Sequence, residues 1–142
     1  MAVAFTDVQL DILEQNFVAS VAVVTQEGMP YLTPAMIVLQ DMKIYFSTRI
    51  SRDTYRYIMS NPKIGINVMH SKNKNFLSLY GKARIRTRDD YVVFDDVIKR
   101  IIRKYFPDYD KASEIISKIL GDEERILVEI TPIAINSPHQ SS

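Results

Sequence analysis

The spacing of apolar residues changes several times along the first part of the chain, and each change predicts a new element. Residues 6–16 repeat apolar side chains at helical spacing, and Thr6 or Asp7 is suited to cap the start of that helix. Residues 17–25, FVASVAVVT, are rich in valine and predict a largely buried strand. After a turn that contains glycine, residues 31–39 predict a second strand.

The middle of the chain continues with strands and one short helix. A tight reversal at Asp41-Met42 leads into a third strand, KIYFST, which begins at Lys43. Residues 51–60 predict a short helix, capped by Ser51 or Asp53, and Asn61-Pro62 ends it. Two further strands, KIGINVM and FLSLYGKARIRT, flank a polar loop.

The last third of the chain predicts two helices and a final strand. Apolar residues recur at helical spacing from Phe94 to Tyr105, and a second helix runs from about Asp110 to Leu120, with Gly121 placed to end it. The strand RILVEIT follows, and the remaining residues become polar. Six mostly antiparallel strands with three or four helices predict an α+β domain whose strands are numerous enough to close a small barrel. We expect one domain over residues 1–136 and a polar tail over residues 137–142.

Composition narrows the kinds of function that are open to this chain. The formal net charge of the 142 residues is +1, which argues against a general attraction to nucleic acid or to an anionic membrane. The absence of cysteine excludes thiolate metal sites and cysteine nucleophiles, and the two histidines, His70 and His139, are too few to suggest a metal cluster. No signal peptide and no apolar run of roughly 20 residues is recognisable. We therefore expect a cytoplasmic protein without a metal site.

A group of hydroxyl and guanidinium side chains stands where the third strand gives way to the short helix. The group comprises Ser47, Thr48, Arg49, Ser51 and Arg52. A phosphate is bound well by helix N-terminal amides, hydroxyl donors and a guanidinium, and this segment can supply all three. The sequence therefore suggests an anion site, although a solvated connection with a helix cap explains the same residues.

Other polar clusters favour surface roles. The basic residues of the long helix, Lys99, Arg100, Arg103 and Lys104, lie opposite its apolar stripe, which is typical of a solvated helix face. The acidic residues at 95–96 and 122–124 stand at a helix start and after a helix end, where surface carboxylates are common. His70 has no catalytic partner at a suitable spacing, and we expect it to be exposed.

Several short motifs occur in a fixed order along residues 10–88. They are Gly28 with Pro30, Thr33-Pro34, Tyr45-Phe46-Ser47-Thr48, Ser51-Arg52, Asn61-Pro62 and Gly81-Lys82-Ala83. Their order and spacing, with a closing strand near residues 126–135, resemble the pyridoxamine 5′-phosphate oxidase-like family of flavin-binding split barrels. The resemblance rests on the whole series, since each motif alone is common.

The resemblance implies a fold, a cofactor and an assembly. It implies a six-stranded antiparallel split β-barrel with peripheral helices, usually a homodimer that binds FMN in grooves at the dimer interface. The hydroxyl and guanidinium group described above, with Thr54, would hold the flavin phosphate, and Thr33, Pro34 and Ala35 would lie along the isoalloxazine ring. The implied activity is flavin-mediated hydride or electron transfer with a small-molecule substrate or electron donor. The resemblance assigns no catalytic side chain.

The chain also departs from the family pattern. The lysine that usually follows Ser-Arg is absent, and its place falls on Asp53 or Thr54. Ala35, Gln40 and Phe76 replace other usual contacts, and the substrate-recognising C-terminal segment with its Trp is missing. We therefore expect no pyridoxamine-phosphate oxidase activity. A deazaflavin-binding reductase on the same fold and a non-catalytic flavin-binding or sensing module remain as alternatives.

The apolar pattern of the first strand bears on assembly. Val21 and Val23 can point to one side while Ala22 and Val24 point to the other, so both faces of this strand require cover. The helices can cover only part of that surface. We therefore expect a two-fold homodimer, and the helical insertion at residues 91–120 would either form a lid over the site or extend the dimer.

Overall fold

The computed structural model describes residues 4–136, in which four helices pack on one seven-stranded sheet. The helices are α1 (Asp7–Glu14), α2 (Asp53–Ser60), α3 (Tyr91–Tyr105) and α4 (Tyr109–Leu120). The strands are β1 (Ala19–Val24), β2 (Pro30–Ala35), β3 (Val38–Gln40), β4 (Lys43–Arg49), β5 (Lys63–Met69), β6 (Phe76–Arg86) and β7 (Arg125–Asn136). The α+β class is confirmed. The polar tail expected at residues 137–142 lies outside the described residues.

The sheet is antiparallel throughout and is not closed. Its strand order is β2-β1-β5-β6-β7-β4-β3, so β2 and β3 form opposite edges. The prediction of one strand over residues 31–39 is wrong. Met36 and Ile37 make no strand pairing, and at these two residues the chain crosses from one edge of the sheet to the opposite edge. This crossing gives seven strands instead of six, and it leaves an open split where a closed barrel would pair β2 with β3.

Side chains from α3 bind the backbone at the crossing. The Tyr105 hydroxyl accepts a hydrogen bond from the Ile37 amide at 3.2 Å and donates one to the Phe17 carbonyl at 2.7 Å. Lys104 Nζ donates to the carbonyl of Ile37 at 2.7 Å. Buried backbone groups that leave a ladder need such partners, and the helical insertion supplies them here.

The two faces of the sheet form two separate apolar cores. One face packs with α1 and α2 around buried residues such as Val21, Phe46 and Val128. The opposite face of β4 and β7 packs against α3 and α4, and the apolar stripe predicted for the long helix lies there. Phe94, at 0% exposure, sits at the centre of that second core. None of the helices within residues 4–136 is long and apolar enough to cross a membrane.

Local sequence signals explain most of the turns and caps. Thr6 caps α1 in a capping box, and the reversal at Asp41 and Met42 uses positive φ angles of 52° and 63°. The prediction for the cap of α2 was wrong, since Arg52 takes that position and makes no side-chain capping bond. Gly121 ends α4 with a φ of −83°, and therefore not in the left-handed conformation expected for a C′ glycine.

Gly81 is required by an irregularity between β6 and β7. The pairing register shifts between Tyr80 and Gly81, and β7 continues to Asn136, although the sequence pattern predicted an earlier end. A Cβ atom on Gly81 would lie 2.1 Å from the carbonyl oxygen of Thr131, so no other residue fits without movement of the backbone. This close approach accounts physically for the Gly-x-Ala motif of this strand.

Candidate functional site

A polar cavity of about 330 Å³ lies between β2, the end of β4 and the start of α2. Its lining residues are Tyr31, Thr33, Thr48, Ser51, Arg52, Asp53 and Thr54. Four strands separate β2 from β4 in the sheet, so the curvature of the sheet brings Thr33 next to a segment that is close to it neither in sequence nor in pairing. The fold thus gathers Thr33, Thr48, Ser51, Arg52 and Thr54, all of which the sequence analysis assigned to a cofactor.

The donors around this cavity suit an anion. Helix α2 begins with no side-chain cap, so the amides of its first turn are not occupied by a capping oxygen. The hydroxyls of Thr48, Ser51 and Thr54 have no hydrogen-bond partner within residues 4–136. The Arg52 side chain is exposed at the rim. Helix N-terminal amides, free hydroxyls and a guanidinium together form a donor set for a phosphate group.

Asp53 adds a negative charge to the same cavity. Its carboxylate Oδ1 lies 3.0 Å from Nη2 of Arg56, one turn further along α2. The side chains of Asp53 and Arg56 are 49% and 60% exposed, so water screens their attraction. The Arg56 guanidinium partly compensates for a carboxylate that would otherwise repel a phosphate.

Two residues assigned from the sequence to the phosphate have other partners. Arg49 Nε donates to Asp122 at 2.8 Å and Nη2 to Glu124 at 3.1 Å, and the hydrogen bond from Arg49 lowers the pKa of Asp122. Ser47 Oγ donates to the carbonyl of Ile126 at 3.2 Å. The acidic segment that was expected to be a plain surface feature therefore holds the end of β4 against β7.

The remaining predicted contacts follow Thr33 on β2. Pro34 is exposed and Ala35 is half-buried, and neither belongs to the lining of the cavity. His70, which we expected to be exposed, is half-buried, and its ring packs edge-on against Phe17 with 4.7 Å between centroids. His70 Nδ1 accepts a hydrogen bond from the Lys72 amide at 3.1 Å, so this nitrogen is used within its own loop.

A buried charged cluster surrounds Glu129 and was not predicted from the sequence. This carboxylate is 1% exposed, and it accepts hydrogen bonds from Tyr45 and Arg86, each at 2.8 Å, and from Lys43 at 3.3 Å. Burial alone would raise the pKa of Glu129, but the Tyr45 and Arg86 hydrogen bonds outweigh it and lower the pKa. Burial, and then the Glu129 carboxylate, raises the pKa of Tyr45 to about 12. The feature of the sequence that could have revealed this cluster is the glutamate within the otherwise apolar strand RILVEIT.

The prediction of a solvated basic face on α3 is confirmed for Lys99, Arg100 and Arg103, which are exposed, but is wrong for Lys104. Lys104 is half-buried, and its ammonium donates to the carbonyls of Leu13 at 2.6 Å and Ile37 at 2.7 Å. Burial, and then the charge of Arg100, lowers the pKa of Lys104 to about 8. Arg100 Nη2 in turn donates to the carbonyl of Leu39 at 3.3 Å. Two of the four basic residues therefore bind the protein's own backbone.

Solved structures share this fold at low sequence identity. A conserved hypothetical protein from Mycobacterium tuberculosis aligns with a TM-score of 0.78 at 16% identity, covering 99% of this chain and 93% of its own. The heme storage protein HutZ from Vibrio cholerae aligns with a TM-score of 0.73 at 16% identity, over 89% of both chains. An F420 reductase aligns with a TM-score of 0.68 at 20% identity, over 89% of this chain and 94% of its own.

Comparison with families of sequences is more decisive. No curated protein matches this chain. A family model described as pyridoxamine 5′-phosphate oxidase, however, matches residues 5–136, which is nearly all of the chain that the structure describes. On the strength of that match and of the split sheet, this chain belongs to the pyridoxamine 5′-phosphate oxidase-like family.

Proposed function

We propose that this protein binds FMN and acts as an oxidoreductase in which the flavin carries out hydride or electron transfer. The observation that supports the proposal most is the polar cavity, which joins Thr33 of β2 to the donors of β4 and α2. Members of this family commonly bind flavin. The chain offers a fitting set of anion donors in the same cavity.

In this proposal the phosphate occupies the end of the cavity formed by α2. The first-turn amides of α2 and the hydroxyls of Thr48, Ser51 and Thr54 donate to its oxygens, and the Arg52 guanidinium neutralises its charge. Arg49 and Ser47 act indirectly, since their bonds to Asp122 and Ile126 keep the end of β4 in place. The site then depends on one guanidinium and on local backbone groups.

The backbone of β2 would orient the ring system. Thr33 lines the cavity, and Pro34 and Ala35 continue the same edge strand, so the three residues can lie along an isoalloxazine ring. FMN, when bound, supplies the redox chemistry, and no side-chain nucleophile is needed. The chain's own contribution is to hold the phosphate, to fix the ring against β2 and to exclude water from one side.

We also propose a two-fold homodimer formed by the outer face of β1, β2, β5 and β6. Helices α3 and α4 cover the β4 and β7 part of that face, but no described helix covers the rest. Leu32 and Tyr80 are therefore 69% and 55% exposed, and Ile133, in the end of β7 that the helices do not cover, is 50% exposed. Large exposed apolar side chains grouped on one face of a sheet are typical of an interface. The partner subunit would supply the second wall of the cofactor groove.

A deazaflavin coenzyme is the second candidate for the same cavity. The place of the lysine in the family pattern falls here on Asp53 or Thr54, both of which line the cavity, and the loss of that lysine suits a modified phosphate site. The structural similarity to an F420 reductase is consistent with that reading. A non-catalytic flavin-binding module, the third possibility, would use the same contacts without turnover.

The proposal is tested by titrating the cofactor-free protein with FMN, riboflavin and a deazaflavin coenzyme. We expect FMN to bind at micromolar concentration or below and riboflavin to bind at least about tenfold more weakly, since riboflavin lacks the phosphate. Equal affinity for FMN and riboflavin would contradict the phosphate site, and tighter deazaflavin binding would favour the second candidate. Reduction of bound FMN by a nicotinamide donor, above a buffer control, separates an enzyme from a passive binding module.

A further inference from the structure

A second and larger cavity, of about 670 Å³, lies between the end of α1, strand β3 and the basic face of α3. Its lining residues are Leu13, Glu14, Val38, Leu39, Asp96, Lys99, Arg100, Arg103 and Lys104. It shares no lining residue with the polar cavity beside α2. The volume lies within the range of about 300–1,000 Å³ that is usual for small-molecule sites.

The floor and the wall of this cleft differ in chemistry. Leu39, which is half-buried, provides the accessible apolar floor above the buried Leu13 and Val38, and four basic side chains from two successive turns of α3 form the wall. Two carboxylates, Glu14 and Asp96, accompany four cations, which leaves positive charge in excess. We call this site the basic cleft.

The cations of the basic cleft are not neutralised by the protein. Among residues 4–136, no ion pair within 4 Å joins Lys99, Arg100, Arg103 or Lys104 to a carboxylate. The Lys104 ammonium has three donors, of which the carbonyls of Leu13 and Ile37 use two. A half-buried ammonium with an unused donor beside an apolar floor favours an incoming anion.

We propose that the basic cleft binds an amphipathic organic anion, with its carboxylate at Lys99, Arg100 and Lys104 and its hydrocarbon body against Leu39 and the methylene stems of the basic side chains. An inorganic anion would leave Leu39 and the methylene stems of the basic side chains in contact with water, and a neutral hydrocarbon would leave the cations unpaired. An alkyl or aryl carboxylate satisfies both parts of the site. This binding is independent of the proposed flavin site.

Three matched ligands test the chemistry by isothermal titration calorimetry on the full chain, below the micelle-forming concentration. Dodecanoate carries both the charge and the chain, dodecanol only the chain, and butyrate only the charge. We expect saturable dodecanoate binding at about 10–100 μM and at least about tenfold weaker binding of the other two. The affinity should not change in the presence of excess FMN, because the two cavities are separate. No saturable dodecanoate binding up to about 1 mM, or equal affinity for dodecanol, overturns the proposal.

Charge variants test the location. Lys99→Gln with Arg100→Gln should weaken dodecanoate binding about tenfold, and Glu14→Gln should strengthen it about threefold by removing a repelling charge. Glu14 is exposed, so its variant keeps the fold even if the Arg100 change disturbs β3. The control is Lys111→Gln with Lys118→Gln on the exposed face of α4, which should leave the affinity unchanged. Binding that neither the double variant nor Glu14→Gln alters lies elsewhere, and the proposal then fails.

Discussion

The guanidinium of Arg49 lies 2.8 Å from the carboxylate of Asp122, measured from Nε to Oδ2, across 73 positions of sequence. The pair ties the end of β4 to the segment that leads into β7, and the Ile50 amide reinforces it with a 2.9 Å hydrogen bond to the Glu124 carbonyl. Arg49 is held by these contacts and does not line the polar cavity, whereas Arg52 does. The arrangement separates two arginines that are equivalent in the sequence pattern.

The first prediction distinguishes those two arginines. Arg52→Ala should weaken FMN binding by roughly tenfold or more, since a hydrogen bond to a charged group contributes about 1.5–3 kcal/mol, and should leave riboflavin binding unchanged. Arg49→Ala should change FMN affinity by less than about threefold, because its contacts are to Asp122 and Glu124. Fluorescence titration of the flavin measures both. A larger loss of FMN affinity in the Arg49 variant would show that Arg49, and not Arg52, contacts the phosphate.

The second prediction concerns the carboxylate in the same cavity. Asp53→Asn should strengthen FMN binding about three- to tenfold, because it removes a negative charge beside the phosphate and frees Arg56. Glu114→Gln, an equivalent change on the exposed surface of α4, is the control and should have no effect. Unchanged FMN affinity in the Asp53 variant would place the phosphate outside this cavity.

The third prediction concerns the buried cluster at Glu129. Glu129→Leu should lower the free energy of unfolding by about 3–5 kcal/mol, because Arg86 and Tyr45 then lose their buried partner. Glu124→Leu, which removes a more exposed carboxylate, should cost less than about 1 kcal/mol. Urea denaturation followed by circular dichroism measures both values. Similar losses in the two variants would show that burial does not distinguish them.

The fourth prediction is a pH dependence that arises from Lys104. Its pKa is about 8 in the folded protein, whereas an unfolded lysine has a pKa of about 10.4. Between about pH 8 and 10 the unfolded chain therefore binds more protons, and the contribution of Lys104 to stability rises with pH. The free energy of unfolding of the wild type should increase across this range relative to that of Lys104→Met.

Denaturant titrations at intervals across that range test the pH prediction. Tyr45 does not interfere with this measurement. Its pKa is about 12 in the folded protein and about 10 in the unfolded chain, so its titration lowers the free energy of unfolding only above about pH 10. If the difference in the free energy of unfolding between the wild type and Lys104→Met stays constant from about pH 8 to 10, the pKa of Lys104 is not lowered in the folded protein.

The fifth prediction tests the proposed dimer. Leu32→Glu places a charge in the apolar outer face of β2 and should shift the protein towards a 16.4 kDa monomer with weaker FMN binding. Val92→Glu, at a residue that is 66% exposed on α3, is the matched control and should leave assembly unchanged. Light scattering over a concentration series reports the mass. A wild-type monomer that retains FMN at tens of micromolar, roughly the range where a weak dimer associates, would refute an interface site.

Local patterns in the sequence determined much of this protein. The stripe from Phe94 to Ile102 specified a helix with one buried face, and the alternation in β6 specified a strand. Thr48, Ser51 and Arg52 are near neighbours in the chain, so this cluster of hydroxyl and guanidinium donors could be recognised without knowledge of the fold. Side-chain periodicity and turn chemistry depend on only a few consecutive residues, which is why they can be read directly.

Only the tertiary structure decided which distant residues meet. The break at Met36 and Ile37 depends on α3, whose Tyr105 and Lys104 bind the released backbone from 68 and 67 positions away. The partners of Glu129 come from two other strands, and the strand order, not the local pattern, brings them together. A polar side chain has many candidate partners along a chain, and the energy of burying it selects among them only once the sheet has formed.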